Sequence, residues 1–105
     1  MSVKSVSKNN FEALKQDNKI VLLDFYADWC GPCRMVAPTV DAIAEERSDI
    51  SVGKVNVDKE GELAALFGVY SIPTLVVLKD GKEAIRAVGV RSRAEILDML
   101  ARAGA

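Results

Sequence analysis

Residues 20–33 read IVLLDFYADWCGPC and contain the two features that decide the fold. The first half, Ile20–Tyr26, is an almost continuous apolar run, which is typical of a central strand covered on both faces. The second half ends in Cys30-Gly31-Pro32-Cys33, where a helix is expected to begin because proline suits the first helical turn. The segment therefore predicts a buried strand that leads directly into a helix, with both cysteines of the chain at the junction.

The position at a helix start gives Cys30 its chemistry. Its sulfur is expected to face free backbone N–H groups and the positive end of the helix dipole, which favour thiolate over thiol. Thiolate is the nucleophile in disulfide exchange, so this position makes Cys30 reactive. Cys33 follows nearly one helical turn later and should point back toward the core, while Cys30 sits at the exposed turn. The pair can therefore close a small disulfide and open it again.

The remaining sequence alternates strand and helix patterns, and its 105 residues predict a single domain, 1–105. Asn9 or Asn10 is expected to cap the first helix, Asp80-Gly81 predicts a two-residue hairpin, and Ser92 with Glu95 matches a capping box. The predicted fold is α/β, with the order β-α-β-α-β-α-β-β-α and a central mixed five-stranded sheet that has helices on both faces. The predicted strands are 3–6, 20–26, 50–57, 74–79 and 82–88, and the predicted helices are 11–18, 31–47, 60–67 and one that starts after residue 92.

Composition excludes several classes of function. The formal net charge is −1 with scattered basic residues, so we expect no nucleic-acid or membrane-surface partner. No apolar run approaches the roughly 20 residues that span a bilayer, and the first residues show no secretory signal. The chain has no histidine, which excludes Cys–His and Ser–His catalysis. Two thiolates without histidine leave too few soft ligands for zinc, so we expect no metal site.

Six segments of the sequence carry a family resemblance by their order and spacing: LDFYADWCGPCR, APTV, KVNVD, SIPTL, KDG and AVGV. Over essentially its whole length the chain resembles the thioredoxin family. The resemblance implies the thioredoxin fold and a protein-disulfide reductase whose redox centre is the Cys30–Cys33 disulfide, with no organic cofactor. It further implies disulfide-bearing target proteins, a thioredoxin reductase that recharges the pair, a monomer and a cytoplasmic location.

The resemblance also assigns roles to individual residues. Cys30 resembles the family's attacking cysteine and Cys33 its resolving one. Asp24 lies between apolar neighbours, where a charge is costly, so burial should raise its pKa and make it a proton acceptor for Cys33. Lys54, within VGKVNV, is a possible charge partner of Asp24, although a solvated lysine at a strand end is nearly as good an interpretation.

A docking surface for target proteins follows from the same resemblance. The family has a cis peptide before the proline that matches Pro73, facing the cysteine pair, whereas the sequence alone favours trans. Gly-Pro between the cysteines is the dipeptide found in the reductases of the family. The docking surface is predicted to consist of Trp29, Gly31, Pro32, Ile72, Pro73, Val88 and Gly89. Tyr26, Tyr70-Ser71 and Val90-Arg91 depart from the commonest family pattern, and most of them lie near its rim.

Several alternatives remain open from the sequence. The same fold serves thiol oxidases and isomerases, which require an oxidising compartment. A binding subunit could use the docking surface without redox turnover. A purely structural disulfide is a weak alternative, because a bridge that closes so short a loop restricts little entropy of the unfolded chain.

Overall fold

The computed structural model describes residues 3–105, so residues 1 and 2 of the predicted domain lie outside the described part. Within that part it shows the predicted order of five strands and four helices, each bounded within about one residue of the prediction. The elements are β1 (Val3–Ser5), α1 (Phe11–Asp17), β2 (Ile20–Tyr26), α2 (Gly31–Glu46), β3 (Ser51–Asn56), α3 (Gly61–Leu66), β4 (Thr74–Lys79), β5 (Lys82–Val88) and α4 (Arg93–Arg102).

The strands form one sheet in the order β1-β3-β2-β4-β5, so β2 lies at its centre and β5 at an edge. β3 runs parallel to both β1 and β2. β4 runs antiparallel to β2, and β5 runs antiparallel to β4. The predicted mixed five-stranded sheet is therefore confirmed.

The alternating side chains of β2 build a core on each face of the sheet. Ile20 and Leu22 pack with buried residues of α2 and α4. Leu23 and Phe25 point to the opposite face, where they pack with buried residues of α1 and α3. Because successive strand residues alternate between faces, Asp24 belongs to the face that α2 covers. This places the carboxyl group of Asp24 on the same side of the sheet as Cys33.

Turn and capping residues that are recognisable in the sequence form the β4–β5 hairpin turn and the start of α4. Asp80 and Gly81 both have positive φ, 52° and 81°, as the predicted two-residue hairpin turn requires. The capping box of α4 is confirmed, since the Ser92 hydroxyl accepts a hydrogen bond from the Glu95 N–H while the Glu95 carboxylate accepts one from the Ser92 N–H. Among the described residues, no helix is long and apolar enough to cross a membrane.

The predicted side-chain cap of α1 is wrong. Asn10 occupies the N-cap position, but its side chain makes no capping hydrogen bond to the helix. Its Oδ1 accepts from the Ser7 N–H at 2.8 Å, and its Nδ2 donates to the Ser5 carbonyl at 2.9 Å. The asparagine therefore shapes the loop between β1 and α1, because the polar groups of that loop compete with the helix end for the same side chain.

Candidate active site

The cysteine pair lies where the sequence places it, at the start of α2. Cys30 is the N-cap residue and forms a disulfide with Cys33, with 5.3 Å between their Cα atoms. The Cys33 N–H donates to Cys30 Sγ at 3.2 Å, so the sulfur of Cys30 does face the helix N-terminus. A sulfur in this position receives the favourable field of the helix end when it is ionised.

The expected difference in exposure between the two cysteines is not present in this disulfide form. Cys30 is 5% exposed and Cys33 is 4% exposed. The residues differ instead in what surrounds them. Cys30 Sγ lies 3.9 Å from the Ile72 carbonyl oxygen, whereas Cys33 lines a cavity together with Asp24. The two cysteines therefore differ in the groups that surround them and not in how deeply they are buried.

The segment around Pro73 lies against Cys30. The Ile72–Pro73 peptide bond is cis, as the resemblance implies and as the sequence alone could not indicate. The Pro73 carbonyl accepts a hydrogen bond from the Gly89 N–H at 2.8 Å, which joins the start of β4 to the end of β5. Gly89 has a φ of +98°, a conformation that strongly favours glycine. The segment that lies against Cys30 is thus tied in turn to the residue that follows β5.

Trp29 is a surface residue and not part of the core. Its side chain is 69% exposed, and its Nε1 donates to Asp58 Oδ2 at 2.8 Å. Asp58 is held in turn by Asn56, whose Oδ1 accepts the Asp58 N–H at 2.9 Å. The sequence alone did not single out Asp58, although an Asn-x-Asp pattern directly after a strand is a signal for such a turn.

Gly31 leaves open space next to Cys30, and an exposed apolar side chain, Val88, ends β5 opposite Thr74. A Cβ atom built on Gly31 would meet nothing within 4 Å, so the fold itself does not require glycine there. Val88 is among the exposed large apolar residues, together with Val90 and Tyr70. This arrangement leaves room for the backbone of another chain to approach the disulfide.

Asp24 is almost completely buried, with 2% of its surface exposed, and its Oδ1 has no hydrogen-bond partner. Burial raises the pKa of this carboxyl group from 3.8 to about 6. The positive charge of Lys54 opposes that rise, and the negative charge of Asp41 adds to it. The group is therefore able to exchange a proton near neutral pH.

A cavity of about 160 Å³ connects Asp24 with Cys33. A water molecule occupies about 30 Å³ in the liquid, so the cavity has room for several. The lining is mostly apolar, and its charged side chains are groups that can hydrogen-bond to water. The lining residues are Asp24, Tyr26, Ala27, Asp28, Cys33, Arg34, Ala37 and Lys54. Asp24 and Cys33 therefore border the same space on one face of the sheet.

Lys54 lies beside Asp24 in the register of β2 and β3. Its ammonium group packs over the ring of Tyr26, 4.8 Å from the ring centre. Lys54 also lines the cavity that Asp24 and Cys33 border. Its charge favours the ionised form of Asp24, but burial has the larger effect on the pKa.

A disulfide at the first turn of a helix, on a mixed sheet with helices on both faces, defines a class of dithiol–disulfide oxidoreductases. A thioredoxin family model matches residues 2–102. A thioredoxin of Chlamydia caviae is 42% identical over 98 residues, which cover 93% of this chain and 95% of the relative. A thioredoxin of Mycobacterium tuberculosis is 52% identical over 81 residues, which cover 76% of this chain and 70% of the relative.

Solved structures agree with this result. A mutant thioredoxin from Halobacterium salinarum has a TM-score of 0.89 at 38% identity, covering 94% of this chain and 88% of the other. A Plasmodium falciparum thioredoxin has a TM-score of 0.86 at 28% identity, covering 94% of this chain and 97% of the other. The chain belongs to the thioredoxin family. It is a protein-disulfide reductase whose redox centre is a disulfide of its own chain.

Proposed function

We propose that Cys30 is the attacking nucleophile, Cys33 the resolving thiol and Asp24 the proton acceptor of this reductase. The observation that carries the proposal is the different surroundings of the two sulfurs. Cys30 faces the docking surface and the N–H groups of α2, whereas Cys33 shares a cavity with Asp24. Cys30 is therefore placed to react with a disulfide of a target protein, and Cys33 is placed to exchange a proton with Asp24.

The reaction has two exchange steps that start from the reduced pair. The Cys30 thiolate attacks one sulfur of a target disulfide, a bond forms between them, and the other target sulfur leaves as a thiolate. Cys33 then gives its proton to Asp24 and attacks Cys30 Sγ, which releases the second target sulfur. Two electrons have passed to the target, and the enzyme holds the Cys30–Cys33 disulfide seen in this structure.

Target proteins bind at the docking surface as extended segments. The exposed ring of Trp29 and the side chain of Val88 supply apolar contact area, and Gly31 admits the partner's backbone. The Ile72 carbonyl lies beside Cys30 Sγ and can accept a backbone hydrogen bond from the target strand. Pro32, Pro73 and Gly89 shape the backbone around this contact. Recognition through backbone and apolar contacts accommodates many sequences, as a general reductant requires.

The remaining assignments follow from the family. Residues 1–105 act as a single domain and a monomer in the cytoplasm, with the Cys30–Cys33 pair as the redox centre and no organic cofactor or metal. A thioredoxin reductase returns two electrons to the disulfide through the docking surface, because the cysteines are reached from that side. Nucleic acids and membranes are not partners of a chain with a net charge of −1.

The reduction potential of the Cys30–Cys33 pair separates this function from thiol oxidation or isomerisation. The protein is equilibrated in glutathione buffers of graded ratio, and the thiols are counted after alkylation. A reductase should reach half-oxidation only in strongly reducing buffers, since its disulfide is the stable form. A pair that stays reduced in mildly oxidising buffers would instead identify an oxidant or isomerase.

A further inference from the structure

The loop between α3 and β4 is held at both ends by the edge strand β5. We call residues 68–73 the proline loop. At its start, Arg86 Nη2 donates to the Phe67 carbonyl at 2.5 Å and Nη1 donates to the Gly68 carbonyl at 3.5 Å. At its end, the Gly89 N–H donates to the Pro73 carbonyl at 2.8 Å. The two anchoring residues are three positions apart, about 10 Å along an extended chain.

Arg86 is itself held in place. Its Nε and Nη2 donate to the two carboxylate oxygens of Glu83 at 2.8 and 2.7 Å, which fixes the plane of the guanidinium group. The carbonyls it binds are at the C-terminal end of α3, where helix carbonyls lack partners within the helix and a positive charge is favourable. Below them the Phe67 ring packs against Phe25, with 5.4 Å between ring centres. The start of the proline loop is therefore fixed from the sheet edge and from the core.

The middle of the proline loop is open on its outer side but is held from below, since the Ser71 carbonyl accepts a hydrogen bond from the buried Thr74 hydroxyl and Val69 packs on the core. Tyr70 is 95% exposed, and Ser71 is exposed as well. Four residues beyond Gly68 the loop reaches Ile72, whose carbonyl lies 3.9 Å from Cys30 Sγ. We expect a displacement of the Gly68 end to reach, through four residues of backbone, the Ile72 carbonyl that faces the nucleophile.

We propose that Arg86 is a positioning residue for target binding, which holds the proline loop so that the Ile72 backbone can pair with the target segment. The proposal rests on the docking role of Ile72 and Pro73 described above. It predicts that loss of Arg86 impairs reactions that use backbone pairing along the loop. A small disulfide that needs only the Cys30 sulfur is affected much less.

The test compares Arg86→Met with Arg86→Lys and with the matched control Arg93→Met. Arg93 also forms an ion pair, with Glu46, but at the start of α4 and away from the proline loop. The single-turnover rate of each fully reduced variant is measured at graded concentrations of insulin as the protein disulfide and of 5,5′-dithiobis(2-nitrobenzoic acid) as the small one. Melting temperatures show whether each variant is folded at the assay temperature.

For Arg86→Met we expect the second-order rate constant with insulin to fall about tenfold, mainly through a higher half-saturating insulin concentration, because misplacement of a positioned group by about 1 Å costs up to about 100-fold. The rate with the small disulfide should fall by less than about twofold. Arg86→Lys should recover part of the loss, since it keeps the charge but not the paired donors. Arg93→Met should match the wild type with both substrates.

The variant Trp29→Ala tests the docking surface separately, since it removes a contact while leaving Arg86 in place. If Trp29→Ala weakens insulin reduction but Arg86→Met behaves like Arg93→Met, the role of Arg86 is wrong and the docking surface stands. Equal losses with insulin and with the small disulfide in Arg86→Met would also overturn the positioning role. If neither variant changes insulin reduction, the docking surface itself is wrong.

Discussion

At the scale of single residues, Asp24 is expected to lower the stability of the fold at neutral pH while it supports the reaction. Burial raises the pKa of its carboxyl group from 3.8 to about 6. Below pH 3.8 the carboxyl group holds its proton in both the folded and the unfolded chain. As the pH rises from there through about 6, the unfolded chain releases its proton first, so the free energy of unfolding falls. At pH 7 the accumulated loss is about 3 kcal/mol, at about 1.4 kcal/mol for each pH unit of difference.

The variant Asp24→Asn should therefore be more stable than the wild type at pH 7. We expect the free energy of unfolding to rise by roughly 1–2 kcal/mol. Removing the carboxyl group removes its pH-dependent cost, but the buried amide without a partner offsets part of that gain. At pH 3 the gain should vanish or reverse, since the wild-type residue is protonated there in both states. Denaturant unfolding at the two pH values measures this difference, and insulin reduction should be slower because Cys33 loses its proton acceptor.

Asp98→Asn is a matched control for this prediction. Asp98 is an exposed carboxylate that pairs with Arg102 four residues along α4. Its replacement should change the free energy of unfolding by no more than about 0.5 kcal/mol, as is usual for an exposed pair. If Asp24→Asn were less stable at pH 7 and reduced insulin at the wild-type rate, Asp24 would be a structural residue only.

At the scale of elements, the sequence predicted what local chemistry decides. β2, β4 and β5 have the predicted bounds, because an apolar run and a two-residue turn specify them without help from the rest of the chain. The cap of α1 was predicted wrongly, because Asn10 binds the loop before the helix and that loop's shape depends on β1. The contact between Arg86 and the end of α3 joins elements that are distant in sequence, so no local pattern indicates it.

Gly53 in β3 shows how closely α1 packs on the sheet. A Cβ atom at this position would lie 2.4 Å from Val6 Cγ2 and 2.9 Å from Leu14 Cδ2. We expect Gly53→Ala to lower the free energy of unfolding by roughly 1–3 kcal/mol, the usual cost of overpacking a core. Urea unfolding measures the change.

Gly61→Ala, at the start of α3, provides the comparison for Gly53→Ala. A Cβ at Gly61 would have nothing within 4 Å, and alanine is the better helix former. This variant should be neutral or slightly stabilising. If the two variants had equal stability, β3 and α1 would have to be more loosely packed than the structure shows.

At the scale of the whole molecule, the active site joins segments that lie far apart in the chain. The sequence pointed to Cys30, Cys33 and Asp24 because each residue is unusual in its own surroundings. It could not show that Asp24 and Cys33 share a cavity, because that depends on α2 covering one face of β2. The cis bond before Pro73 was expected only from family resemblance, since trans is the default from sequence.

The equal burial of the cysteines was also not predictable, since it depends on how the proline loop lies over Cys30. In the disulfide form neither sulfur is freely accessible. The division of roles must therefore come from the surroundings of each sulfur, the docking surface for Cys30 and the Asp24 cavity for Cys33. That division is the central claim of the proposed mechanism.

Covalent trapping of target proteins tests that claim most directly. Cys33→Ser and Cys30→Ser are incubated with a cell lysate, and the adducts that dithiothreitol releases are quantified on gels. Cys33→Ser should accumulate mixed disulfides, because Cys30 can attack but no second thiol resolves the bond. Cys30→Ser should trap little, because Cys33 borders the Asp24 cavity and not the docking surface. Equal trapping by the two variants, or more by Cys30→Ser, would contradict the assigned roles.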